Sequence, residues 1–186
     1  NFAYRITKSG SLPCEGFAFV FQRETTGSVG GAGENIGYEG ITSSVAIEFD
    51  TKQDTINGDP DGNHVSIHSR YESSNDASES FAIASAVTAP FNLADGAVHN
   101  VEITYVPAKI DPNDPGTTTL YGWVRVYLDG NVVPLYSGQV DDRRLRSVLN
   151  GAAYLGFTAG NSGGTVSGGT IDILNWTLSI VPPSAT

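Results

Sequence analysis

The chain has 186 residues, of which only 16% are charged, and it contains 22 glycines and no methionine. Charged residues make up about a quarter of an ordinary globular protein and more of a long helical or coiled-coil protein, so this composition excludes the helical classes. The 20 acidic against 10 basic residues give a formal net charge of −10. This charge repels phosphate backbones and anionic lipids, so we expect no nucleic acid partner. No stretch reaches the roughly 18 apolar residues of a membrane span, so we expect no direct membrane insertion.

Apolar residues recur at every second position in short runs separated by Gly, Pro, Asn and Asp, which is typical of an all-β protein. In chain order, the predicted strands are 16–21, 44–50, 64–69, 80–87, 99–105, 122–128, 153–159 and 171–180. The Asp-Gly-Asn sequence at 129–131 predicts a tight turn, which would pair the strand before it with Val132 and Val133 in a hairpin.

Four segments lie outside this strand pattern. Residues 27–40 and 160–169 are rich in glycine, and residues 109–119 form a polar run with two prolines, so all three are predicted to be surface loops. Residues 141–149 begin with two Asp and continue with three Arg, an order that suits a helix dipole, so a short helix is predicted there.

Cys14 is the single cysteine of the chain. It cannot form an intramolecular disulfide, so we expect a free thiol and a fold that rests on the apolar faces of its strands. We also expect replacement of Cys14 by Ser to leave thermal stability nearly unchanged.

The segment 45–67 gathers five carboxylates and one imidazole within seventeen residues: Glu48, Asp50, Asp54, Asp59, Asp61 and His64. In a strand, Glu48 and Asp50 share one face, and Val45, Ile47 and Phe49 share the other. Bound cations would relieve the repulsion among these carboxylates, and the imidazole extends the choice from calcium to a transition metal such as manganese. The same spacing also fits a solvated acidic hairpin, and spacing alone does not decide between the two.

These residues resemble the metal motif of the legume-type, or L-type, lectins. The family pattern is E-x-D-x-(backbone carbonyl)-x-N-x4-D-x4-H, and the sequence follows it without a gap from Glu48 to His64. The segments GFAFVF, IGYEGI, SSVAIEFDT, DGAVHNVEITY, VRVYLDG, AAYLGFTAG and DILNWTLSI also occur in the family's order. The resemblance extends from about Phe2 to Ile180 and so covers nearly the whole chain.

The resemblance implies a concanavalin-like jelly-roll sandwich of curved antiparallel sheets. The lectin-like domain would comprise residues 1–181, followed by a tail or linker at 182–186. Family domains usually begin with one or more strands before the position of Asn1, so we expect those N-terminal strands to be missing.

The resemblance also implies two metal ions beneath a shallow saccharide site. Manganese or another transition metal would be held by Glu48, Asp50, Asp59 and His64. Calcium would be held by Asp50, the Lys52 carbonyl, Asp54 and Asp59. Asp50 and Asp59 would then bridge the two ions.

The family's sugar site corresponds to Glu15, Asp54 and a glycine amide near Gly33. Two of these positions depart from the family: Asp54 stands where Asn is usual, and Glu15 stands where Asp is usual, after a peptide bond that is often cis. An ionised Asp keeps the metal contact but loses the amide donor. Tyr38 and Tyr71 are candidates for stacking on a sugar ring, whereas His68 is expected to be a solvated strand residue.

The resemblance therefore implies a calcium-dependent carbohydrate-binding module that binds glycans or glycoproteins, is secreted or displayed on a cell surface, and is not an enzyme. The alternative that this module belongs to a larger multidomain chain stays open. The two departures favour an alternative, a metal-stabilised adhesion or structural module without the usual sugar binding. Jelly-roll glycoside hydrolases carry an E-x-D-x-x-E pattern, but Gln53 stands where the last carboxylic acid is needed, so hydrolysis is disfavoured.

Overall fold

The computed structural model describes residues 1–9, 14–107, 121–132, 134–141, 144–145, 153–161 and 168–180. The strands are β1 (Phe2–Lys8), β2 (Cys14–Gln22), β3 (Thr42–Asp50), β4 (His64–Ser74), β5 (Val87–Thr88), β6 (His99–Val106), β7 (Tyr121–Leu128), β8 (Tyr136–Asp141), β9 (Tyr154–Asn161) and β10 (Gly169–Trp176). Two single-turn 3-10 helices occupy Gly33–Asn35 and Glu79–Phe81. Across these described ranges, no helix is long and apolar enough to cross a membrane.

The strands form two five-stranded sheets in which all pairs are antiparallel. The first sheet has the order β10-β1-β6-β7-β8, and the second has the order β5-β4-β3-β2-β9. In the second sheet, Asp50 of β3 lies opposite Gly16 of β2 on one side and His64 of β4 on the other. This register brings the acidic end of β3 next to the histidine that begins β4.

The main core lies between the two sheets and is built from alternate residues of the strands. Val45, Ile47 and Phe49 of β3 all belong to it. The rings of Phe17 and Phe49, on neighbouring strands, are stacked with centroids 4.8 Å apart and planes 5° apart. The period-two pattern of the sequence thus produces an apolar face that packs against the other sheet.

A second, smaller apolar cluster covers the outer face of the second sheet. Ala18 and Ala46 point to this face, and the segment 23–41 folds over them with Ile36, Tyr38 and Ile41. The segment doubles back on itself: a Cβ at Gly30 would collide with the carbonyl oxygen of Glu39, so only glycine fits there. Both faces of β3 are therefore buried.

The all-β sandwich predicted from the sequence is confirmed, and seven of the eight predicted strands are present with shifted ends. The prediction for 80–87 is wrong, because a 3-10 helix at Glu79–Phe81 precedes a two-residue strand at Val87–Thr88. Strands β1 and β8 were not predicted. The tight turn is present, with positive φ at Asp129 and Gly130, but Val132 is exposed and the partner strand begins at Tyr136.

Other predicted segments lie outside the described residues. These are Val133, all of 109–119, most of 141–149 and the middle of 160–169. The division into a domain at 1–181 and a tail at 182–186 stays a prediction.

Cys14 is a free cysteine, as predicted, but it is only 1% exposed and belongs to the main core. Burial raises the pKa of its thiol. The expectation that Cys14→Ser is neutral stays a prediction, although placing a more polar hydroxyl in the core disfavours it.

Candidate functional site

A row of buried polar side chains lies on the outer face of the second sheet. Glu48 and Asp50 come from β3, and His64, Ser66 and His68 come from β4, each no more than 4% exposed. They share one face because every second side chain of a strand points to the same side of the sheet. The segment 75–84 crosses over this row, and its 3-10 helix brings Glu79 to the two histidines.

Three contacts fix the orientation of these side chains. The ring Nδ1 of His64 lies 2.9 Å from the carbonyl oxygen of Asp61, which can only accept, so Nδ1 carries the proton and Nε2 faces Glu48 and Glu79. The hydroxyl of Tyr38 donates to Oε2 of Glu48 at 2.5 Å. The backbone N–H of Glu79 donates to the carbonyl of Asn57 at 2.8 Å, which ties the crossing segment to the acidic loop.

The donor atoms in this row form three overlapping groups that could hold a metal ion. The groups are Glu48, Asp50 and His64; Asp59, His64 and Glu79; and Glu48, His68 and Glu79. Within each group the ligand atoms lie within 4.8 Å of one another. Glu48, His64 and Glu79 each belong to two groups, so they are the centre of the cluster.

Burial controls the charges of the cluster. Burial, followed by the nearby charge of Glu48, raises the pKa of Asp50 to about 9. Burial also raises the pKa of Glu48. Burial lowers the pKa of His64, but the neighbouring carboxylates of Glu79, Asp50 and Glu48 outweigh it and raise the pKa to about 9. In the absence of a bound metal ion, burial and mutual repulsion therefore disfavour the simultaneous ionisation of Glu48 and Asp50.

The loop after β3 is folded by its own carboxylates. Oδ1 of Asp50 accepts the backbone N–H of Lys52 at 2.7 Å, and Oδ2 of Asp59 accepts that of Asp54 at 2.5 Å. The Lys52 ammonium lies 2.9 Å from Oε2 of Glu15 and 3.1 Å from Oδ2 of Asp54. Glu15 is 2% exposed, so Lys52 supplies the cation that this buried carboxylate needs.

Gly33 lies at the same corner as Glu15. A Cβ built on Gly160 of β9 would collide with the carbonyl oxygen of Gly33 and lie 3.2 Å from Cβ of Glu15. The amide of Asn57 also donates to the carbonyl of Glu34 at 3.1 Å. The glycine-rich loop, the start of β2 and the acidic loop therefore meet at one edge of the sheet.

The structure thus brings Glu15, Asp54 and Gly33 into one region and Glu48, Asp50, Asp59 and His64 into the adjoining one. Asp54 belongs to none of the metal-ligand groups found among the described residues, and its carboxylate pairs with Lys52. The peptide bond between Cys14 and Glu15 is trans.

Three predictions for single side chains need correction. Tyr38 is fully buried and bonded to Glu48, so it cannot stack on a sugar. Tyr71 lies instead under the guanidinium of Arg144, at 3.9 Å from its ring centre. His68 is not solvated but fully buried beside Glu79, because the crossing segment covers the outer face of β4.

A family model for the legume lectin domain matches residues 1–186. The chain belongs to the legume lectin family. Among solved structures, it is similar to peanut lectin in complex with a 9mer peptide, with 25% identity and a TM-score of 0.55 over 92% of this chain and 64% of that one. The basic winged bean lectin with Tn-antigen has the same fold, with 22% identity and a TM-score of 0.51 over 94% and 70% of the two chains. The match covers less than two thirds of the length of the peanut lectin chain.

Legume lectins generally bind metal ions, and the donor set of this chain fits such ions. Nε2 of His64 is buried and makes no hydrogen bond within the described part of the chain, and Glu48 and Asp50 beside it are held at raised pKa values by burial. Oxygen ligands with one imidazole suit a transition metal, and oxygen ligands alone suit calcium. A bound cation would favour the ionised carboxylates that burial disfavours.

Proposed function

We propose that this legume lectin domain is a calcium-dependent carbohydrate-binding module without enzymatic activity, which acts at the cell surface or after secretion on glycans or glycoproteins. Its sugar site would comprise Glu15, Asp54 and the backbone amide of Gly33. The observation that carries the proposal is the meeting of these three at one edge of the second sheet, where Lys52 joins Glu15 to Asp54. Carboxylates and backbone amides are the acceptors and donors that sugar hydroxyls need.

Calcium would be held by Asp50, the carbonyl of Lys52, Asp54 and Asp59, and the transition metal by Glu48, Asp50, Asp59 and His64. The proposal is supported by the buried carboxylates of Asp50 and Glu48, whose mutual repulsion a cation would relieve. Calcium takes carboxylate and carbonyl oxygens. When bound, it would hold the acidic loop in place below the sugar.

The Lys52 ammonium is the feature of this chain that acts against calcium. It lies within 3.1 Å of both oxygens of Asp54. Calcium and the ammonium would compete for this carboxylate, so Lys52→Met, which keeps the backbone carbonyl, is expected to raise calcium affinity. The same ion pair favours the second candidate, a structural or adhesion module in which the Lys52 ammonium pairs with Glu15 and Asp54 in place of sugar and calcium.

A glycan array probed with a clustered form of the protein, with calcium and with EDTA, tests the proposal. Clustering is needed because shallow sites gain affinity through multivalency. We expect calcium-dependent binding that Glu15→Gln abolishes, while substitution of the exposed Glu102 of β6 by Gln leaves it unchanged. Binding to no glycan by the calcium-loaded protein and by its Lys52→Met variant would favour the structural module. Release of reducing ends from a polysaccharide would instead indicate a hydrolase.

A further inference from the structure

Tyr38 is a buried residue of the segment 23–41 that reaches one of the proposed metal ligands. Its side chain is fully buried, and its hydroxyl donates to Oε2 of Glu48 at 2.5 Å. Neither the proposed metal ligands nor the proposed sugar site includes Tyr38. A short bond from a buried hydroxyl to a carboxylate is a strong contact, so it constrains how Glu48 is oriented.

The backbone around Tyr38 fixes the place of its ring. The N–H of Gly30 donates to the carbonyl of Gly37 at 2.7 Å, and the N–H of Gly31 donates to that of Glu39 at 2.9 Å. These two bonds lie on either side of Tyr38, whose ring also belongs to the smaller apolar cluster on the outer face of the second sheet. The hydroxyl is therefore held by packing and by backbone bonds, and a rigid support of this kind can orient another side chain.

The backbone of Glu48 is fixed as well, so only its side chain is left to orient. Glu48 pairs with Ala18 of β2 on one side and with Ser66 of β4 on the other. Its Oε1 lies 3.8 Å from Nε2 of His64. Because Tyr38 takes the other oxygen, Oε2, the carboxylate presents Oε1 toward this imidazole.

The orientation matters because Glu48 has a choice of partners. It belongs to one metal-ligand group with Asp50 and His64 and to another with His68 and Glu79. The ring of Tyr38 lies beside that of His68, with centroids 5.8 Å apart. A carboxylate without the bond to Tyr38 would be freer to turn from the first group toward the second.

We propose that Tyr38 is a positioning residue of the transition-metal site, whose hydroxyl holds Oε2 of Glu48 so that Oε1 is presented to the ion together with Asp50 and His64. This inference rests on the proposed function, because it takes Glu48 as a ligand of the transition metal. Hydrogen bonds from outside the ligand shell orient metal-binding carboxylates, and their loss weakens metal binding.

Manganese titration of the chelator-treated protein, followed by the paramagnetic resonance signal of free manganese, tests the proposal. Tyr38→Phe removes the hydroxyl and keeps the ring, and we expect it to weaken manganese binding about 10- to 100-fold. Tyr136→Phe is the matched control, because Tyr136 is also buried but its hydroxyl donates to the carbonyl of Ala84, at 2.9 Å. This control should keep the wild-type affinity.

Calcium binding distinguishes a positioning role from a general loosening of the site. The proposed calcium ligands do not include Glu48, so Tyr38→Phe should keep the wild-type calcium affinity when manganese is saturating. Calorimetry with calcium measures it. An equal loss of calcium and manganese affinity would show that Tyr38 supports the fold of the whole site, and it would overturn the proposal.

Equal manganese affinities of the wild type and Tyr38→Phe would overturn the proposal alone, whereas a wild type that binds no manganese would overturn it together with the proposed metal site. If Tyr38→Phe does not fold, a crystal structure of the manganese-loaded wild type decides. Oε1 of Glu48 on the ion and Oε2 on Tyr38 would support the proposal, and Oε2 on the ion would overturn it. These measurements contain no sugar, so a failure of glycan binding is a separate result.

Discussion

The two faces of β3 are equally buried but differ in what they need. Val45, Ile47 and Phe49 face the other sheet, while Ala46, Glu48 and Asp50 face the covering loops, and none of the six is more than 4% exposed. Burial of a large apolar side chain contributes about 1.5–3 kcal/mol by itself. Burial of a carboxylate costs several kcal/mol unless a cation accompanies it. The inner face therefore needs no ligand, whereas we expect the outer face to be stabilised by bound cations.

The largest effect should come from the inner face. Phe49→Ala removes a ring stacked on Phe17 in the centre of the core, and we expect a loss of about 3–5 kcal/mol in the free energy of unfolding. Urea denaturation with and without EDTA measures it. The loss should be the same in both conditions, and a loss that depends on chelator would show that the two faces are coupled.

Metal removal should destabilise the molecule through the outer face. A metal present at 100 times its dissociation constant contributes about 2.7 kcal/mol, so EDTA should lower the melting temperature of the metal-loaded protein. Asp50→Asn should reduce this shift, because it removes a carboxylate from the cluster. Phe49→Leu serves as the control and should keep the full shift. An unchanged melting temperature in EDTA would contradict the dependence of the outer face on cations.

The sequence predicted the apolar residues of the inner face. On the outer face it predicted Glu48, Asp50 and His64 as members of the polar cluster, but not His68 and Glu79. Period-two alternation is a local signal, so it separated Val45 from Glu48 correctly. The same alternation puts His68 on the face of His64, but no local pattern shows that the segment 75–84 covers that face. Glu79 follows His64 by fifteen positions and reaches the cluster through tertiary backbone bonds, from Ile83 to Ile67 and from Glu79 to Asn57, which have no sequence signal.

His99 provides a buried imidazole whose partners are not metal ligands. Its Nδ1 lies 2.8 Å from Asp129 and its Nε2 lies 3.1 Å from Asp95, and both carboxylates can only accept. Burial lowers the pKa of His99, but these hydrogen bonds outweigh it, so the pKa is raised. The stabilisation is therefore complete below the unfolded value of about 6.5 and is lost as pH rises through the folded value.

We expect His99→Asn to cost about 1 kcal/mol at pH 6, because both carboxylates are more than a third exposed and solvent screens the pair. The cost should shrink at alkaline pH, where the wild-type imidazole is neutral. Urea denaturation of both proteins across this range measures it. A cost that grows with pH would show that the neutral ring is the form that the fold prefers.

The smallest effect should come from an ion pair on the solvent side of the first sheet. Arg5 of β1 lies opposite Asp172 of β10, with Nη2 2.8 Å from Oδ2, but the two side chains are 43% and 32% exposed. Exposed pairs contribute about 0.2–1 kcal/mol, and salt screens them. A double-mutant cycle with Arg5→Gln and Asp172→Asn should give a coupling in that range that disappears in high salt. A coupling as large as the effect of metal removal would contradict the expectation that an exposed ion pair contributes less to stability than the buried polar row around Glu48.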